Sequence, residues 1–311
     1  MIKILLIILA AVFVLLSLAA VYLFRVAAVR KGEKWERQLR GEWMNYLDRI
    51  EAGQEWFRSR EKERIYIKSY DGLKLAADFL PAEGESKRTI ILFHGYRSKD
   101  YFDFSCAYEY YHSMGLNIIS VFQRSHGPSE GKYICFGVRE RYDCLAWCRY
   151  AAERFSPDSD IFLSGLSMGA STVMMASSLE LPENVRGIIS DCGFISPGEE
   201  FRHLMRKMGM PQWPMLNMVG FLTKHVAGFG IDECSAEKEV AKGKTPMLFI
   251  HGEADDFVPA YMSRRCYEAC AAEKELVTVP GAGHGVSFLI DSKRCAQALE
   301  NFFERYSKCA R

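Results

Sequence analysis

The chain opens on a nearly continuous apolar run. From Ile4 to Phe24 only Ser17 and Tyr22 interrupt a series of aliphatic, alanine and phenylalanine positions. About 20 residues, rising 1.5 Å each, cross the ~30 Å hydrocarbon core of a bilayer. A cleaved signal peptide has a shorter apolar region of about 7–15 residues and a small-x-small cleavage site. Ser17-Leu18-Ala19 imitates such a site, but the apolar run continues past it. The pattern therefore predicts an uncleaved anchor over residues 1–31, with its span at about 4–24. Over residues 32–62 the period changes. Trp35, Leu39, Trp43, Leu47 and Ile50 recur every three or four positions, opposite Glu33, Lys34, Arg40, Glu42 and Asp48. That is one apolar face of a juxtamembrane amphipathic helix. It is expected to pack on the following domain or a neighbouring protomer, the other reading being a helix lying in the membrane interface.

From residue 63 to 311 the chain alternates between short β-rich runs and helical periodicity. Strands are predicted near 65–69, 73–79, 89–93, 117–122, 160–164, 186–190, 247–251 and 275–279, and helices near 103–114, 138–155, 168–180, 261–273 and 291–306. A hairpin followed by strand–helix alternation predicts an α/β domain with a mainly parallel eight-stranded sheet and helices on both faces. About 55 residues separate the sixth strand, ending at Asp191, from the seventh, which is too long for a plain loop. The insertion predicts a helical cap over about 193–240. It is rich in Met and aromatic residues, among them Phe194, Phe201, Met205, Met208, Trp213, Met218 and Phe221. Most should pack the cap onto the body, and a fraction should line an apolar substrate pocket. His203 and His225 read as surface or packing residues.

Composition narrows the function classes. A formal net charge of +1 gives no sign of a nucleic-acid partner. Ten cysteines are scattered without a C-x-x-C pair or a zinc-like spacing, which suits a reducing compartment. Lys3 precedes the apolar span, whereas Arg25, Arg30, Lys31, Lys34, Arg37 and Arg40 follow it. The positive-inside rule then puts the domain on the cytoplasmic side of the cell membrane, as a single-pass protein.

The chemistry is carried by Gly165-Leu166-Ser167-Met168-Gly169, which follows the apolar run Ile161-Phe162-Leu163 and precedes a helical stretch. Strand, G-x-S-x-G turn and helix form a nucleophile elbow that lifts a serine hydroxyl clear of a sheet. Serine needs a base to take its proton and an acid to orient that base. Both follow in chain order, each just past a strand. The acid lies in His251-Gly252-Glu253-Ala254-Asp255-Asp256-Phe257-Val258-Pro259, and the histidine in Gly283-His284-Gly285. Only one of two adjacent carboxylates on a strand-end loop can face the histidine, and the spacing of two residues to Val258-Pro259 favours Asp255 over Asp256.

With His94-Gly95 after the third strand, these elements resemble the α/β-hydrolase superfamily, in particular bacterial serine hydrolases of the esterase and prolyl-oligopeptidase-related type. Asp71-Gly72-Leu73-Lys74-Leu75 resembles the family's early hairpin turn. Arg124-Ser125-His126-Gly127-Pro128-Ser129 resembles its Asp-x-Arg-Gly-His-Gly-x-Ser loop, with Phe122 and Ser125 at the acid and first glycine positions. The resemblance implies an α/β-hydrolase fold, Ser167 as nucleophile, His284 as base and Asp255 as orienting acid. It also implies an oxyanion hole from the backbone N–H groups of Tyr96 and Met168, with His94, Gly95, Gly165 and Gly169 structural. No metal or organic cofactor is expected. The expected substrate is a small-molecule or lipid ester, with a peptidase, an acyltransferase and an inactive membrane scaffold as the competing readings.

Overall fold

The computed structural model describes residues 1–32 and 41–309. Trp35 and Leu39 of the predicted juxtamembrane helix lie outside these residues. The elements in chain order are α1 (Ile2–Ala28), a 3₁₀ turn (Gly41–Tyr46), α2 (Leu47–Ser59), β1 (Glu63–Lys68), β2 (Lys74–Leu80), β3 (Arg88–Phe93), α3 (Ser105–Ser113) and β4 (Asn117–Phe122). Then come α4 (Glu140–Phe155), β5 (Asp160–Leu166), α5 (Met168–Ala176), β6 (Val185–Asp191), α6 (Pro197–Lys207), α7 (Met215–Val226) and α8 (Ala236–Val240). The chain finishes with β7 (Met247–Gly252), α9 (Tyr261–Ala269), β8 (Lys274–Val279), α10 (Ser287–Ile290) and α11 (Ser292–Tyr306).

The eight strands form one sheet in the order β1-β2-β4-β3-β5-β6-β7-β8. β2 runs antiparallel to both β1 and β4, and the other pairings are parallel. The central strands β3 and β5 are buried at every position. Strands covered on both faces read as unbroken apolar runs rather than alternating ones, which is how Thr89–Phe93 and Ile161–Leu163 are written. One face of the sheet is covered by α4, α5 and α9, and the other by α2, α3 and α11, each with its own apolar core. The parallel strands deliver their carboxyl ends to a common edge, where ligands bind in open α/β sheets.

Two elements depart from the predicted organisation, and α1 makes a contact on which the sequence was silent. Residues 41–59 form a 3₁₀ turn and α2, not one continuous helix, and α2 packs on α3. Phe57 is fully buried there and stacks on Tyr108 with ring centroids 3.8 Å apart. The cap ends sooner than 240, because α8 packs on α5 and α9 and belongs to the body. The apolar helix α1 does not stand apart from the domain: Ala20, Phe24 and Ala28, spaced by four, are buried, and α1 packs along α7 of the cap. Beyond its end, the Ile134 N–H donates to the Ala28 carbonyl at 2.7 Å and the Arg30 N–H to the Lys132 carbonyl at 2.9 Å. α1 is the one helix among the described residues long and apolar enough to cross a membrane.

Candidate active site

β5 ends at Leu166 and α5 starts at Met168, so Ser167 makes the whole reversal. Its φ of 56° and ψ of −114° lie in a region that non-glycine residues rarely occupy. Such strain persists only where the surroundings over-determine it. Here the Ser167 N–H donates to the Asp191 carbonyl at 2.8 Å. The flanking glycines are steric necessities. A Cβ on Gly165 would lie 2.2 Å from the Gly169 carbonyl oxygen, and one on Gly169 would lie 1.8 Å from that of Phe93.

Three side chains from three loops converge at this turn. Ser167 Oγ is 2.9 Å from His284 Nε2, and His284 Nδ1 is 2.7 Å from Asp255 Oδ2. The serine hydroxyl donates to Nε2, and Nδ1–H donates to the carboxylate. Asp255 Oδ1 accepts the N–H groups of Phe257 and Val258 at 3.0 and 2.9 Å. Burial opposes ionisation of Asp255, but hydrogen bonds from His251 and His284 outweigh it and hold the carboxyl far below its ordinary range. Its neighbour is engaged elsewhere: Asp256 is exposed and its carboxylate lies 2.7 Å from Lys207 Nζ.

Tyr96, Ser167 and His284 share a cavity of about 210 Å³, walled by Trp43, Leu166 and Phe257. The Tyr96 phenol turns away from it and donates to the Ala27 carbonyl at 2.7 Å, so what Tyr96 can offer the cavity is its main chain. The loop that carries Tyr96 is held by Asp103, whose carboxylate accepts the Gly95 N–H at 2.6 Å. Met168 contributes the first N–H of α5, at the end of a helix where N–H groups lack intrahelical partners. His94 is bonded away from the triad: its Nε2 accepts the Gln123 N–H at 3.1 Å and it packs against His126. Ser125 takes a φ of 65° at the position where the resembling family has glycine, and its hydroxyl donates to the Tyr133 carbonyl at 2.8 Å.

The cap does not supply the wall expected of it. The apolar residues around Ser167 come from the 3₁₀ turn, β5 and the Asp255 loop, whereas Trp213, Met208 and Phe221 of the cap face outward. His203 meets the Asp256 carbonyl at 3.2 Å, and His225 packs on Phe221, consistent with surface and packing roles.

Sequence reasoning missed several groups. Trp43 was placed on a helix face by its period, but it sits over Gly285, while the Glu42 carboxylate accepts the Gly283 N–H at 2.8 Å. Nothing local announces such a contact across the length of the chain. His251 could have been found from its position four residues before Asp255. Its Nε2 lies 2.8 Å from the Val258 carbonyl and 3.2 Å from Asp255 Oδ2, and Ser263 donates to its Nδ1 at 2.6 Å. Asp191 is half-buried at the end of β6, next to the elbow, and desolvation pushes its carboxyl up to about 6. Cys192, Asp255 and His284 bring possible metal-ligating atoms within 4.8 Å of one another. Burial keeps the Cys192 thiol protonated, and the other two bond each other, so the set is poorly suited to hold an ion.

The sheet order and the serine elbow define an α/β-hydrolase fold. The family model described as the prolyl oligopeptidase family matches residues 135–309, more than half of the sequence and all three residues of the Ser–His–Asp chain. This protein belongs to that family and is in general terms a serine hydrolase. Among its relatives, the uncharacterized protein YqkD of Bacillus subtilis (strain 168) is 26% identical over 254 residues, covering 80% of this chain and 82% of the relative. The uncharacterized membrane protein YNL320W of Saccharomyces cerevisiae (strain S288c) is 23% identical over 232 residues, covering 74% and 75%. Among solved structures, the Pyrococcus furiosus esterase Pf2001 superposes with a TM-score of 0.64 at 20% identity, over 87% of this chain and 97% of that one, a likeness of fold.

Proposed function

We propose that this protein is a membrane-anchored serine hydrolase that cleaves carboxylic esters through an acyl-enzyme on Ser167. The observation that carries this reading is the hydrogen-bonded chain Ser167–His284–Asp255 at 2.9 and 2.7 Å. His284 Nε2 takes the hydroxyl proton as Ser167 Oγ attacks the carbonyl carbon. Asp255, ionised across the working range, keeps Nδ1 protonated and stabilises the imidazolium. The tetrahedral oxyanion accepts hydrogen bonds from the backbone N–H groups of Met168 and Tyr96, with the amino end of α5 adding its dipole. His284 then gives its proton to the departing alkoxide, and water hydrolyses the acyl-enzyme by the same steps in reverse order. α1 supplies the anchor, and the flanking charges favour a cytoplasmic domain.

The family match favours a second reading, hydrolysis of a peptide amide by the same three residues. Full-length protein in detergent decides between them. The ester reading expects turnover of p-nitrophenyl esters well above that of aminoacyl p-nitroanilides, and fluorophosphonate labelling that Ser167→Ala abolishes. Faster cleavage of the anilides would establish the peptidase, and labelling that survives Ser167→Ala would remove the proposed nucleophile.

A further inference from the structure

A second cavity, of about 380 Å³, opens where α1 joins the body. Four cationic residues line it: Arg30 and Lys31, just beyond the last turn of α1, and Arg97 and Lys99, just beyond the Tyr96 loop. Main-chain contacts hold two of these cations in place. Arg30 donates to the carbonyls of Ser129 and Gly127 at 2.6 Å each, and Arg97 to the Val29 carbonyl at 3.2 Å. The Arg97 N–H donates to His126 Nε2 at 3.1 Å, and His126, buried, has its basicity lowered well below the usual imidazole value, so it remains a neutral acceptor at this wall. The two arginines spend terminal N–H groups on these carbonyls, so they would act on a phosphate chiefly through their charge, beside the ammonium groups of Lys31 and Lys99 that line the same concavity.

Two features say where such a phosphate comes from. Arg30 and Lys31 follow directly on the apolar helix, and basic residues beside a membrane span attract anionic headgroups. Arg97 also lines the cavity that holds Ser167, so the two cavities share a wall one residue from the proposed oxyanion donor Tyr96. In a glycerophospholipid only the few bonds of a glycerol unit separate the phosphate from an acyl ester. We infer that the cationic cavity holds the phosphate of an anionic acyl glycerolipid while one of its ester carbonyls reaches Ser167. This assignment rests on the esterase reading above and names its substrate class. The step is the one already described: Ser167 Oγ bonds the acyl carbon, the glycerol oxygen leaves with the proton from His284, and water later supplies the hydroxyl that frees the fatty acid. The products are a lysophospholipid and a fatty acid.

The test compares phosphatidylglycerol with diacylglycerol of the same chains, both presented to the full-length protein in nanodiscs of ether-linked phosphatidylcholine. The wild type should prefer phosphatidylglycerol in kcat/KM by about tenfold or more, in line with the pull of two to four cations on an anionic headgroup. Lys31→Gln with Lys99→Gln, which leaves the two arginines in place, should lower the ratio several-fold, mainly by raising KM for phosphatidylglycerol, and Lys31→Arg with Lys99→Arg should restore it. Equal rates on the two lipids, or a ratio that ignores the charge of residues 31 and 99, would overturn the assignment. So would a cavity that takes inorganic phosphate at millimolar concentration with no effect on phosphatidylglycerol hydrolysis, since it would then be a free-anion site. Hydrolysis of p-nitrophenyl butyrate without hydrolysis of either lipid removes this inference and leaves the esterase; hydrolysis of no ester at all removes both.

Discussion

Asp255 and Asp256 are chemically identical neighbours that the fold has made different. One accepts two main-chain N–H groups and two imidazoles, and the other meets Lys207 near the surface. Asp255→Asn keeps an oxygen for Phe257 and Val258 but turns a donor towards His284, which then favours the wrong tautomer. The expected loss in kcat is up to ~10⁴-fold, by analogy with the serine-protease case in which that substitution has been worked through, whereas Asp256→Asn should stay within a few-fold. Steady-state rates on one p-nitrophenyl ester rank the two mutants, and the reverse ranking would move the acid to Asp256. A different carboxyl should make stability depend on pH. Glu200 on α6 is buried, neither of its oxygens has a hydrogen-bond partner among the described residues, and burial raises it to about 8 from 4.5. The folded state therefore binds a proton that the unfolded state has released, and stability falls as pH rises from about 4.5 to about 8. Glu200→Gln removes this penalty, which is on the order of a few kcal/mol at the upper end. Thermal melts of the two proteins should coincide more nearly at about pH 5 and separate by several degrees at about pH 8, the variant melting higher. Parallel pH profiles would mean that Glu200 carries its charge in the folded state.

At the scale of elements, the legible parts of the fold were those set by local period and by turn chemistry. β3 and β5 announced themselves as buried runs, and the elbow as two glycines about a serine, because only glycine fits where β5, α5 and the Phe93 carbonyl nearly touch. Gly169→Ala should accordingly abolish labelling of Ser167 and lower the melting temperature, even though alanine is the better helix former. A variant with normal labelling would mean that β3 and α5 can move apart. The 3₁₀ turn was illegible for the opposite reason. Trp43 and Ile50 keep helical spacing, but their burial is decided by partners in distant loops and in the core beneath α3, and a period records only that a face is covered, not by what. The cap suffered the same ambiguity: its methionines and aromatics fit a pocket lining and an outer surface equally well as composition, and the walls of the cavity that holds Ser167 fell instead to Trp43 and Phe257. Trp43→Ala should raise KM for bulky esters several-fold while sparing small ones, as expected for a wall that positions the acyl group without taking part in the chemistry.

For the whole molecule, the cytosol-facing orientation proposed from the charges that flank the apolar span can be tested directly. A C-terminal fluorescent protein should be bright, a phosphatase fusion inactive, and the half-buried Cys106 and Cys309 should react with an impermeant maleimide only after the membrane is breached. An active phosphatase fusion would reverse the orientation and leave the site untouched. The contact between α1 and the body carries a further consequence. An enzyme on a flexible stalk tumbles over its surface and meets substrates from many angles. Here the Ala20, Phe24 and Ala28 face is buried and α1 packs on α7 of the cap, the Tyr96 phenol bonds the end of the same helix, and Arg30 just beyond it bonds the Ser129 carbonyl of the body, so there is little slack. With α1 across a bilayer, Ser167 is mounted at one fixed height above the hydrocarbon. Selection among esters then begins with how deeply each carbonyl lies, before any pocket contact is made, and a thicker or thinner membrane would retune the enzyme without changing a residue.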